Sequence, residues 1–115
     1  MNSRISREIR ESVVRNFIDL LILKELSNGL DLSAKDLISR FYRRFHTPIS
    51  PGLIYSLLYA MEREGLVKVA QNSKKKVYKL TAKGKKKAKY VLANLDSILS
   101  FTRFVLDEKS LSKLL

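Results

Sequence analysis

The chain of 115 residues contains no cysteine. Disulfides, thiolate zinc sites and cysteine nucleophiles are therefore excluded. Histidine occurs once, at His46, and a lone histidine makes no metal site. The sequence has no Gly-rich phosphate loop, no metal-ligand cluster and no nucleophile–base pair. Glu62 and Glu64 stand two apart on an expected helix and do not face each other. These absences argue against an enzyme, a metal or a cofactor.

Long apolar runs are also missing. The longest, Phe17–Leu23, is interrupted by Asp19 and falls far short of the ~20 residues that a membrane span needs. The charged start N-S-R-I-S-R-E-I-R leads into no cleavable apolar region. A cytoplasmic protein with no membrane partner is expected. There are only two prolines, no Pro- or Ser-rich linker and no internal repeat. One domain spanning 1–115 is expected, large enough for a real core but not for two.

Acid is scarce in one half. Residues 1–65 hold ten Lys/Arg against eight Asp/Glu, whereas residues 66–115 hold thirteen against three. Ten lysines lie between Lys68 and Lys89, and no acid occurs from Leu66 to Leu95. The net charge of +12 and pI of about 10.1 imply a polyanionic partner, either nucleic acid or an anionic membrane surface. Charge alone does not choose between them.

Order along the chain does. Arg7–Ser27 has helical periodicity, with Ile9, Val13, Phe17, Leu20 and the stem of Lys24 on one stripe; Asn28-Gly29 supplies the stop. Ser33-Ala34-Lys35-Asp36 reads as a capping box opening a helix from Ala34 to about Phe45, with Leu37, Ile38, Phe41 and Tyr42 as its apolar face. His46-Thr47-Pro48 ends it. Ser50 is the expected N-cap and Pro51 the first residue of a third helix. That helix turns Ile54, Leu57, Leu58 and Met61 inward and Gly52, Tyr55, Ser56, Tyr59 and Arg63 outward, and stops at Gly65. Leu66–Gln71 and Lys76–Leu80 read as two strands joined by a polar turn at Asn72–Lys75. Thr81–Leu106 reads as one last helix of ~39 Å, with apolar lines through Ala88, Leu95 and Thr102, through Val91, Ile98 and Val105, and through Leu92, Leu99 and Leu106. The tail after it reads as a short extra turn or a frayed end. The fold class is mostly α with a small β-hairpin, a winged helix-turn-helix. Its core covers about 7–80, and a long C-terminal dimerisation helix covers about 81–106.

Between Ser50 and Gly84 the segments S-P-G-L-I-Y, M-E-R-E-G-L-V and V-Y-K-L-T-A-K-G resemble the PadR family of winged-helix transcription regulators. The order of helices and hairpin extends the resemblance over most of the chain. It implies a homodimer formed through the first and last helices, acting by repression from a palindromic operator. Relatives that sense small aromatic compounds give nothing to carry over, because no residue here matches a ligand motif, and any effector is unknown.

The residues themselves suggest how double-stranded DNA would be held. The exposed start of the third helix, with Ser50 and Gly52, attracts phosphate and lets a backbone approach. Tyr55, Ser56 and Tyr59 can reach phosphates or base edges, though none is a bidentate base reader. Lys74, Lys75 and Lys76 at the wing suit phosphate contact. Arg40 and Arg43, with Arg44, lie on the outer face of the helix that crosses the backbone. An apolar seam of Ile9, Val13, Leu92, Leu95, Leu99 and Thr102 is the expected dimer interface. Two other readings fit the same features: an architectural DNA-coating protein with little sequence preference, and a winged-helix protein-interaction module whose lysines serve solubility.

Overall fold

The computed structural model describes residues 5–72 and 74–107. Ser73 of the expected turn and residues 108–115 of the expected tail lie outside the described residues.

The first apolar stretch forms two helices, not one. α1 (Arg7–Asn16) and α2 (Ile18–Leu26) meet at Phe17, whose backbone (φ −108°, ψ 10°) leaves the helical region. The Phe17 N–H closes on the Val14 carbonyl at 3.1 Å, three residues back. One turn on, the Asp19 carboxylate accepts the Leu20 N–H at 2.9 Å. A short acid that competes for backbone N–H groups favours a helix start over a helix interior, so the chain restarts here without a proline or glycine. α1 has a genuine N-cap, since Ser6 Oγ accepts the Ile9 N–H, yet it buries no residue. α2 buries Ile18, Ile22, Leu23 and Leu26.

α3 (Ala34–Phe45) begins with the expected capping box. Ser33 Oγ accepts the Asp36 N–H at 3.1 Å, and Asp36 accepts the Ser33 N–H at 2.9 Å. Leu37 and Phe41 are buried and Ile38 half-buried, but Tyr42, expected on the same face, points to solvent. The helix ends earlier than Pro48 requires. His46 adopts the left-handed conformation (φ 51°) and its N–H returns to the Tyr42 carbonyl at 2.7 Å. Histidine is among the few non-glycine residues enriched there.

α4 (Pro51–Arg63) buries Ile54, Leu58 and Met61 and half-buries Leu57. Its C-terminus is a Schellman motif. Gly65 (φ 77°) sits just past the cap, its N–H reaches the Glu62 carbonyl at 3.0 Å, and the Leu66 N–H reaches Met61 at 2.8 Å. Only glycine takes that backbone turn without strain. The turn delivers Leu66 and Val67 into the core.

The wing is the antiparallel hairpin β1 (Val67–Asn72) and β2 (Lys75–Leu80), registered from Val67 opposite Leu80 to Asn72 opposite Lys75. Leu32 adds an unanticipated third rung beside β2, exchanging both backbone hydrogen bonds with Tyr78 at 3.2 and 2.8 Å. α5 (Ala82–Ala93) then starts under tight constraint. Thr81 Oγ accepts the Gly84 N–H and donates to the Gly65 carbonyl. Gly84 lies so close to the turn after α4 that an added Cβ would stand 2.0 Å from the Leu66 carbonyl oxygen. These contacts explain the spacing of T-A-K-G behind E-G-L-V: one segment docks on the other.

The single last helix is also corrected. α5 stops at Asn94 (φ −119°, ψ 26°) and α6 (Leu95–Leu106) continues beyond a bend. The Asn94 N–H closes on Val91 at 3.1 Å, while its side-chain amide donates to the Tyr90 carbonyl at 2.7 Å. The side chain thus replaces the backbone donor that a continuous helix would have supplied. On α5 only Gly84 and Ala88 are buried, and on α6 nothing is. The Cα radius of gyration is 16.0 Å, against roughly 13 Å for a compact chain of about this length. No helix among the described residues is long and apolar enough to cross a membrane.

Candidate nucleic-acid interface

One face of α4 carries Gly52, Tyr55, Ser56, Tyr59 and Arg63, all exposed. Tyr55 is 50% and Tyr59 62% accessible, so neither belongs to the core. The Arg63 guanidinium lies over the Tyr59 ring at 5.0 Å and steadies its position. Ser50 occupies the N-cap position, but its side chain makes no capping bond; its carbonyl instead accepts from Leu53 and Ile54. Ser50 is exposed. Gly52 has no internal reason to be glycine. A Cβ there would meet only Ser50 Oγ, at an ordinary 3.5 Å.

The wing approaches the same region. A crevice of about 220 Å³ separates it from the two helices and is lined by Tyr55, Lys35, the wing residues Lys74, Lys75 and Lys76, and Tyr78. The Lys76 ammonium lies 5.9 Å from the Tyr78 ring centre. Lys75 is held by an ion pair across the crevice, its ammonium 2.9 Å from the Asp36 carboxylate. Asp36 is thereby a shared acceptor. The Ser33 N–H first, and the Lys75 ammonium second, hold its carboxyl below the usual carboxylate range. The ion pair and the Leu32–Tyr78 rung fasten the wing to the start of α3.

The candidate residues fall into three groups. Ser50, Gly52, Tyr55, Ser56, Tyr59, Lys74, Lys75 and Lys76 flank one crevice or helix face. Arg43 is exposed on α3 and forms no ion pair among the described residues. Arg40 is diverted inward, its guanidinium 2.8 Å from the Glu25 carboxylate on α2. Sequence reasoning missed Lys35, which lines the crevice, and Asp36, which holds Lys75 beside it. Both lie within three residues of the capping serine, so the box that marked the helix start also marked them, once Leu32 is known to lie beside the wing.

The expected seam residues are placed differently. Ile9, Val13, Leu92, Leu95 and Leu99 are all exposed, and Thr102 is half-buried with its hydroxyl donating to Ile98. Between the α1–α2 segment and α5–α6 runs an apolar groove of about 310 Å³, with Val13, Phe17, Leu21, Leu95, Ile98 and Leu99 in its walls.

The sequence also matches known proteins. Residues 21–90 fit the model of the transcriptional regulator PadR-like family, a segment from early α2 to late α5. The chain is 32% identical over 73 residues to a protein named transcriptional activator GvpE1 of Halobacterium salinarum; the match covers 64% of this chain and 38% of that protein. The fold is similar to that of a transcriptional regulator from Clostridium thermocellum (TM-score 0.68, 19% identity, covering 90% of this chain and 99% of the other). It is equally similar to a PadR-like transcriptional regulator from Bacillus cereus (TM-score 0.68, 21% identity, covering 84% and 97%). With the winged helix in place and the family model spanning more than half of its length, the chain belongs to the PadR-like family of transcriptional regulators, a membership that implies DNA binding.

Proposed function

We propose that the protein binds double-stranded DNA with sequence selectivity, as a homodimer on a palindromic site. The observation that carries the reading is the crevice in which the outer face of α4 and the lysines of the wing converge. Tyr55 stands in both, flanked by Lys74, Lys75 and Lys76. A helix face set beside a lysine-bearing ribbon suits one groove and its flanking phosphates. In this reading Gly52 is glycine because the DNA backbone passes there, since nothing within the chain requires it. Tyr55, Ser56 and Tyr59 touch the groove and Lys74 and Lys76 the phosphates. Arg43 is the clamp on α3, while Arg40 serves by anchoring α3 to α2.

Dimerisation is supported by what α1 and α6 leave uncovered. Leu99 is 64% and Leu106 76% accessible, and Ile9, Val13, Leu95 and Val105 are all exposed nearby. An apolar surface of this extent is rare on soluble monomers. A second copy lying along α6 and the apolar groove covers it, and its two-fold symmetry sets two α4 helices about one helical turn of DNA apart, ~34 Å. Repression by occupying a promoter is the proposed action. The halophile relative carries the name of an activator, so transcription in vitro from a selected promoter, with and without the protein, decides the sign.

The test is site selection from random duplexes, followed by binding in excess bulk DNA. The parent should retain a preferred site. Lys74→Ala/Lys76→Ala should weaken all sequences alike and reduce the salt slope by up to ~0.9 per lost phosphate contact, and Tyr55→Ala should erode the preference. No preferred site would leave the architectural reading, and no DNA binding at moderate salt would leave the protein-interaction module.

A further inference from the structure

At the base of the wing, away from its tip, lies a cavity open to solvent and about 590 Å³ in volume. Four lysines line it. Lys68 and Lys79 are direct cross-strand partners in the hairpin. Lys85 and Lys89 are one turn apart on α5. Like charges directly opposite across a ladder are destabilising, and so are like charges four apart on a helix. Each pair breaks a local rule, on two different elements, and both pairs border one space, whereas Lys83 and Lys87, a like pair four apart on α5, do not line it. None of the four lysines has an ion pair among the described residues, although Lys75 at the wing tip and Lys83 at the start of α5 both find oxygen partners, Asp36 and the Glu64 carbonyl. The floor is apolar, made by Leu26, Leu80 and Ala88. One carboxylate, Asp31 in the loop after α2, lines the cavity too. Violations of local preference that converge on a cavity mark a functional site more often than a packing accident.

We propose that this cavity is a binding site for a small organic anion that carries at least two negative charges and an apolar body, such as an aryl or acyl phosphate. Each lysine pair offers one charged end, and relief of their mutual repulsion adds to the attraction. The floor takes the apolar body, and a concave apolar surface with a few convergent polar groups is the general form of a small-molecule site. None of the residues assigned to DNA contact lines it. The register places Lys68 and Lys79 four residues from the Asn72–Lys75 end of the hairpin, ~13 Å along the strands. The ligand would bridge the wing base, the loop after α2 and α5.

Isothermal titration calorimetry at low salt tests the proposal, with phenyl phosphate and inorganic phosphate as probes and no DNA present. Phenyl phosphate should bind the parent with Kd below about 1 mM and more tightly than inorganic phosphate does. Lys79→Ala/Lys89→Ala, which removes one charge from each pair, should weaken it about tenfold or more. The same variant should unfold at an equal or higher urea concentration, because repulsion has been removed. Lys74→Ala/Lys76→Ala at the wing tip should leave probe binding unchanged. Equal binding of the two probes, or equal losses in the two variants, would show diffuse charge attraction and overturn the site. A duplex-binding loss in Lys79→Ala/Lys89→Ala as large as in the tip variant, with DNA displacing phenyl phosphate, would make a DNA phosphate the occupant and overturn the small-anion assignment. Because the calorimetry contains no DNA, its failure leaves the DNA-binding reading standing, and failure of that reading leaves this one untouched.

Discussion

α2 and α6 are both apolar helices, I-D-L-L-I-L-K-E-L against L-D-S-I-L-S-F-T-R-F-V-L, and they meet opposite fates. α2 buries four large side chains between α5, β2 and α1, each worth about 1.5–3 kcal/mol relative to exposure. α6 buries none. Composition does not separate them; position does. Every neighbour that α2 needs lies within the same chain, whereas α6 begins after Asn94 bends the last helix past the end of the winged core. An apolar stripe therefore reports that a face is to be covered, but not which molecule covers it. The family match respects the same division, since residues 21–90 omit all of α1 and α6.

The comparison is broken most directly by equal truncations on its two sides. Leu23→Ala, at a buried position of α2, should cost about 2–5 kcal/mol in urea unfolding. Leu99→Ala, measured at high dilution, should cost less than about 0.5 kcal/mol. Equal costs would mean that α6 packs within its own chain. A second contrast concerns glycine. Gly84→Ala should cost about 1–3 kcal/mol, because the new methyl meets a backbone carbonyl. Gly52→Ala should leave stability equal or up to about 1 kcal/mol higher, yet lose affinity for a selected DNA site; retained affinity would remove Gly52 from the interface.

A subtler probe is concentration. The parent's urea midpoint should rise with protein concentration, as linked association requires. In Leu95→Glu/Leu99→Glu it should be flat, with a monomer in sedimentation equilibrium. A flat midpoint for the parent would retire the dimer. The smallest effect comes from the α3 cap. The Asp36 pKa is depressed in the folded state, so its contribution is present above about pH 4 and is lost as the pH falls through the lower folded value. Asp36→Asn should flatten this part of the stability profile below about pH 4, and an unchanged acid limb would show that the Asp36 charge, held by the Ser33 N–H and Lys75, contributes nothing.

Much of the winged core was legible from residues alone. α3 has the expected bounds because a capping box announces its start. Helix α4, its glycine stop and the two strands follow from Ser50-Pro51, Gly65 and the alternation around the lysines. What the sequence did not reveal were the two breaks in the long helices. Phe17 and Asn94 are not strong breakers, and each break depends on a local hydrogen-bond exchange that periodicity does not encode. Tyr42 was misplaced because a face assigned by spacing has no sharp edge. The Leu32 rung was missed because a single paired residue has no pattern. At the candidate interface the sequence offered residue types but not pairings: nothing in the order of the chain says that Arg40 meets Glu25 or that Lys75 meets Asp36.

The side-chain amide of Asn94 has one more consequence. Beyond it α6 is a rod of twelve residues, ~18 Å long, joined to α5 at Asn94, whose side chain bonds the Tyr90 carbonyl and whose N–H bonds Val91. Ten degrees at that joint moves the far end by about 3 Å, close to the rise of one base pair, ~3.4 Å. In the proposed dimer, then, the number of base pairs between half-sites would be gauged at Asn94, outside the residues proposed to touch DNA. Asn94→Ala, which lets the backbone reclaim the Tyr90 carbonyl and straighten the rod, should change the preferred spacing while leaving the sequence of each half-site as it was.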